Sequence, residues 1–77
     1  MAILKVSARD GSVSLVIRAR CISCARQIAV QRSPSAEVRL WRDPARSAVT
    51  LIENPEQYGY LREGRQGFIE RIQHGER

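Results

Sequence analysis

The sequence predicts an α+β domain: a small antiparallel sheet of about five short strands with a C-terminal helical element packed on one face. Three observations lead there. Residues 13–20 alternate apolar and polar side chains with the two-residue period of a half-buried strand. Turn signals at Asp10-Gly11, Ser33-Pro34-Ser35 and Asp43-Pro44 cut the first part of the chain into strand-length pieces. After Glu53 the pattern changes. Asn54 is a good helix N-cap, Pro55 suits the first helical position, and Gln57 sits where a capping-box partner would.

Residues 3–8 read as the first strand, with Leu4, Val6 and Ala8 on one face. Asp10-Gly11 supplies a hairpin turn, because glycine accepts the positive φ such a turn needs. In residues 13–20, Val13, Leu15, Ile17 and Ala19 share a face; Ser14, Arg18 and Arg20 share the other, with Val16 the exception. Cys21-Ile22-Ser23-Cys24 then breaks the alternation. Residues 25–32 fit two readings: Ile28 and Val30 share a strand face, while Cys24 and Ile28 share a helix face. Residues 38–42, containing Trp41, and residues 48–53, rich in Val, Thr and Ile, are read as further strands. A short helix is expected from Pro55 to near Glu63, and a second helical piece over 68–73 with Phe68, Ile69 and Ile72 as its stripe. Gly59, Gly64 and Gly67 weaken this helical part.

The 77 residues allow one domain, divided into a β-rich basic part, 1–53, and a C-terminal helical part, 54–77. A domain of this size buries only about 60% of the surface its unfolded chain exposes. Such domains often draw stability from a metal, a disulfide or a partner subunit. The hydrophobic fraction of 43% points to a fold rather than a disordered tail. No apolar run approaches a membrane span, and Lys5 follows the short apolar start, so no membrane association is expected and the expected compartment is the cytoplasm.

The net charge is +5. Lys5 is the only lysine, and residues 1–50 carry nine of the thirteen basic side chains against Asp10, Glu37 and Asp43. Arginine forks grip phosphates and carboxylates bidentately. A face built from Arg18, Arg20, Arg26, Arg32, Arg39 and Arg42 would therefore meet nucleic acid or an acidic protein surface. Trp41, between Arg39 and Arg42, would stack on a base if exposed; a lone Trp in a small domain more often anchors the core. A genome-wide preference for arginine and a merely solvated face account for the same composition. Tyr58 and Tyr60 either line a contact surface or close the core beside Leu61. No arrangement of catalytic Ser, His and Asp, no phosphate-gripping glycine loop and no paired carboxylates stand out, so no enzyme is expected.

Cys21 and Cys24 are the one sharp chemical feature. Two thiolates at this spacing can turn toward one zinc from a tight loop, as half of a zinc ribbon or knuckle. A tetrahedral site needs four ligands; His74 and Asp43 are the remaining donors considered, and two copies in a homodimer could share one zinc. A redox pair at a helix N-terminus is a second reading, favoured by Arg20 and Arg26. Two half-buried thiols or a plain loop disulfide is the third.

Cys21-x-x-Cys24-x-x-x-Ile28 resembles the metal loop of heavy-metal-associated domains, the ferredoxin-like copper chaperones. Asn54-Pro55 and Phe68-Ile69-Glu70-Arg71-Ile72-x-x-Gly75 are similar to that family's last strand end and second helix. Ala19 and Arg20 stand where the family carries Gly-Met. The resemblance implies that Cys21 and Cys24 bind Cu(I) or another soft metal.

The leading expectation is a non-enzymatic basic binding protein, a regulator or inhibitor of the kind that phages also encode, which contacts nucleic acid or a nucleic-acid-handling protein. A soft-metal carrier using Cys21 and Cys24 is the alternative.

Overall fold

A computed structural model describes residues 1–73; the expectations for His74 and Gly75 lie outside the described residues. The chain runs β1 (Ala2–Ala8), β2 (Val13–Ala19), α1 (Ile22–Gln31), a 3₁₀ turn (Ser35–Glu37), α2 (Val38–Arg42), β3 (Ser47–Leu51), a second 3₁₀ turn (Pro55–Tyr58) and β4 (Gly67–Gln73). The fold is α+β, with a four-stranded sheet in the order β3-β1-β2-β4 and antiparallel pairing throughout.

The hairpin forms where the turn chemistry places it. Gly11 takes φ 81° and donates its N–H to the carbonyl of Ala8 at 3.0 Å. The Asp10 carboxylate accepts from the backbone N–H and the hydroxyl of Ser12 at 2.9 and 2.7 Å, fixing the turn locally. The register pairs Leu4 with Ile17 and Val6 with Leu15, so the apolar alternation of both strands falls on one face.

That face is covered by α1 and α2. The core joins Leu4, Val6, Ala8, Val13, Leu15, Ile17 and Ala19 to Ala25, Ala29 and Trp41. Residues 25–31 resolve as helix, with Arg32 as its C-cap, because Ala25 and Ala29, four apart, are both fully buried; their small side chains let α1 lie close on the sheet. Each fully buried Leu, Ile or Val contributes about 1.5–3 kcal/mol relative to exposure, so this layer carries most of the stability.

Three expected elements differ. Residues 38–42 form one helical turn rather than a strand, which places Glu37 and Trp41 four apart on one face, with the indole N–H donating to the Glu37 carboxylate at 3.2 Å. A five-residue segment is too short for periodicity to separate the two states. Residues 68–73 form β4 rather than a helix. Glu70 pairs with Val16 but Phe68 pairs with Ile17, so Ile69 is an extra residue in a bulge. The bulge moves Phe68 to the helix-covered face while Ile72, opposite Ser14, stays on the other. Apolar residues at 68, 69 and 72 therefore mimic a helical stripe. The expected helix from Pro55 is a single 3₁₀ turn ended by Gly59 at φ 82°.

The second face of the sheet, with Ile3, Ser14 and Val16 also buried, is covered by the irregular segment 52–66 rather than by a C-terminal helix. Ile52 donates to the Ile3 carbonyl at 3.0 Å, and Pro55 is fully buried. Among the described residues, no helix is long and apolar enough to cross a membrane.

Candidate functional site

The arginines expected to form one contact face divide into two groups. Arg18 and Arg26 are bound up in the fold. Arg18 spreads its guanidinium over segment 52–66, donating to the carbonyls of Leu61 at 2.9 Å and Arg65 at 3.0 Å. Arg26 reaches from α1 across to the start of β3. It donates to the Trp41 carbonyl at 2.9 Å, the Ser47 hydroxyl at 2.8 Å and the Ser47 carbonyl at 2.9 Å. The carbonyls of the buried residues Trp41 and Ser47 need donors, and the Arg26 fork supplies them; the Arg18 fork instead ties the largely exposed segment 52–66 to β2.

The other group faces outward. Arg20, Arg32, Arg39 and Arg42 are exposed, and none is ion-paired among the described residues. Arg39 and Arg42 lie three apart on α2 and, with Arg46, border a shallow depression. Arg42 also borders a groove between the helices lined by Ser23, Gln27 and Gln31 of α1, so uncharged polar side chains of α1 adjoin the arginines of α2. Arg32 lies at the far end of α1 with its guanidinium 6.0 Å from the Phe68 ring centre. Trp41 does not join this surface. It is fully buried, and as a core anchor its ring offers no face to a base.

Acidic groups near the basic surface are already engaged. Glu37 holds Arg71 through two hydrogen bonds of 2.8 and 2.7 Å. That bidentate contact, together with the Trp41 indole, keeps the Glu37 carboxyl below its ordinary value despite partial burial. Asp43 accepts from the Ala45 N–H at 2.9 Å and pairs with Arg46 at 3.8 Å.

Cys21 and Cys24 meet at the start of α1 and are joined by a disulfide. Cys21 is the N-cap, in extended conformation, and its sulfur accepts the Cys24 N–H at 3.1 Å. A sulfur thus replaces the oxygen that Ser or Asp supplies at such a position. The Ser23 hydroxyl lies 3.4 Å from the same sulfur. Cys21 is exposed and Cys24 half-buried against the core. The helix after Cys24 replaces the second strand that a zinc ribbon requires. Among the described residues, no group of three His, Cys, Asp or Glu side chains gathers around the pair.

One feature lay outside the sequence expectations. A cleft of about 560 Å³ opens on the second face of the sheet, between Lys5, Val16 and Ile72 and the segment carrying Ile52, Tyr58 and Tyr60. Tyr58 and Leu61 are mostly exposed and do not close the core. Tyr60 donates its hydroxyl to the Glu70 carboxylate at 2.7 Å, which pushes its own ionisation up to about 12. The alternation of β1 and β2 signalled which residues form this face, but not which segment would fold over it.

No family model matches the chain, and neither a curated protein nor a solved structure matches it.

Proposed function

We propose that this chain is a small non-enzymatic binding protein, a regulator or inhibitor, that meets a polyanionic partner through the outer surface of its helix layer. Nucleic acid is the first candidate and an acidic protein surface the second. The observation that carries the reading is the contrast between the two arginine groups. Arg18 and Arg26 are each held by two backbone carbonyls, whereas Arg39 and Arg42 project from one turn of helix with their forks unpaired among the described residues. Unpaired, exposed guanidinium groups on neighbouring positions suit phosphate oxygens, which accept two N–H bonds at once.

The test is fluorescence anisotropy with a labelled DNA duplex of mixed sequence, and separately with a polyglutamate peptide. Binding through Arg20, Arg32, Arg39 and Arg42 gives a slope of log K against log salt near −3 to −4, since each phosphate neutralised contributes about −0.9. Arg39→Glu with Arg42→Glu lowers affinity at least tenfold and flattens the slope. Absence of duplex binding at low salt, together with saturable polyglutamate binding, would move the proposal to an acidic protein partner. Failure of both sinks it.

A further inference from the structure

We propose that Cys21 and Cys24 form a redox-active pair that undergoes reversible thiol–disulfide exchange with a thiol-bearing partner, Cys21 being the sulfur that reacts with it. This inference does not involve Arg39 and Arg42.

Three observations converge. The first is accessibility: Cys21 is exposed and its neighbour Ile22 is 57% exposed, while Cys24 is half-buried against the core. An incoming thiolate therefore meets one sulfur of the bond. The second is electrostatic. The Cys21 sulfur accepts the Cys24 N–H at 3.1 Å and lies 3.4 Å from the Ser23 hydroxyl. It stands at the positive end of a ten-residue helix with no acidic residue in its first turn, and Arg20 directly precedes it. Each of these favours an anionic sulfur at Cys21 once the bond opens. The third is the position of the bond itself. It joins residues three apart, within one helical turn, and ties together no distant elements. Its loop is too short to restrain much of the unfolded chain, so a stapling role gives little reason for it.

The chemistry balances without a further oxidant. A thiolate attacks the Cys21 sulfur, forming a mixed disulfide and breaking the bond to Cys24, which leaves as a thiolate and takes a proton from water. A second thiolate of the same kind attacks the mixed disulfide at the partner's sulfur. It releases the partner as its own disulfide and leaves Cys21 as a thiolate held by the Cys24 N–H. Two partner thiols are oxidised and one protein disulfide is reduced; the reverse reaction oxidises the pair.

Glutathione is the probe. The full chain is equilibrated across buffers of varying reduced-to-oxidised glutathione ratio, quenched by alkylation and weighed intact. The expected result is a titration between disulfide and dithiol with a midpoint inside the series. With Cys24→Ser and oxidised glutathione, a single adduct forms on Cys21. With Cys21→Ser, an adduct on Cys24 forms at least tenfold more slowly. Serine is itself a good N-cap, so the Cys21→Ser helix is retained, and circular dichroism of both variants verifies it. The proposal is overturned if the wild-type pair stays oxidised in excess reduced glutathione or stays reduced in excess oxidised glutathione. It is overturned equally if the two variants form adducts at the same rate. Reduced protein that is isolated with bound zinc and resists oxidised glutathione also overturns it, in favour of a metal site. Arg39→Glu with Arg42→Glu leaves the titration unchanged, which separates failure of this inference from failure of the binding reading.

Discussion

Arg26→Met removes a guanidinium that satisfies three acceptors while keeping most of the side-chain stem. The Trp41 carbonyl, the Ser47 carbonyl and the Ser47 hydroxyl lose donors at 2.9, 2.9 and 2.8 Å. Trp41 and Ser47 are both fully buried, so their carbonyls gain little from water. The Ser47 hydroxyl retains the Asp43 carbonyl at 3.3 Å. Each orphaned buried acceptor costs about 1–3 kcal/mol. Partial exposure of Arg26 argues for the lower half of that range, so two orphaned carbonyls give about 2–4 kcal/mol in total. A chain of this length has about 4–12 kcal/mol to lose. The apparent melting temperature should fall by roughly 10–30 °C, at about 4–8 °C per kcal/mol. Urea denaturation followed by circular dichroism measures the loss directly. Arg26→Lys should recover less than half of it, because an ammonium cannot span three acceptors as the planar fork does. Ser47→Ala combined with Arg26→Met should be less damaging than the sum of the two single changes. An Arg26→Met protein within about 0.5 kcal/mol of wild type would refute the clamp, as would strict additivity with Ser47→Ala. Affinity for the anionic partner, corrected for the folded fraction, should be unchanged by Arg26→Met, in contrast to Arg39→Glu.

Glu37, held below its ordinary value chiefly by Arg71, contributes stability that is present above pH about 4.5 and is lost as pH falls through the depressed folded value. Glu37→Gln should therefore cost about 1–2 kcal/mol at pH 7 and progressively less toward pH 3, read from denaturation midpoints across that range. Tyr60 runs in the opposite direction. Its folded value near 12 means its contribution is intact below pH about 10 and disappears as pH rises toward 12. Tyr60→Phe should abolish the late component in an ultraviolet titration of tyrosinate. Gly64 adopts φ +123°, and a Cβ there would lie 2.9 Å from an Arg18 guanidinium nitrogen. Gly64→Ala should cost about 1–2 kcal/mol by urea denaturation, and less in an Arg18→Ala background, where only the backbone strain remains.

Local chemistry alone determined the hairpin, the face on which Leu4, Val6, Leu15 and Ile17 lie, and the location of β3. These follow from alternation and from one Asp-Gly turn, which act over a few residues. The sequence also drew attention to Cys21 and Cys24 and to a surplus of arginine before residue 50. Tertiary structure decided the rest. Residues 25–32 carried both periods, and all but the capping Arg32 became helix because the apolar face of the hairpin required a lid that two buried alanines could bring close. Trp41 joined the core through a single helical turn rather than a strand, because its indole could reach Glu37 there. A bulge opposite Val16 and Ile17 turned an apparent helical stripe into an edge strand. The separation of the arginines was equally hidden in the sequence. Arg26 and Arg42 look alike along the chain, and only the fold places buried carbonyls within reach of one fork and leaves the other facing water.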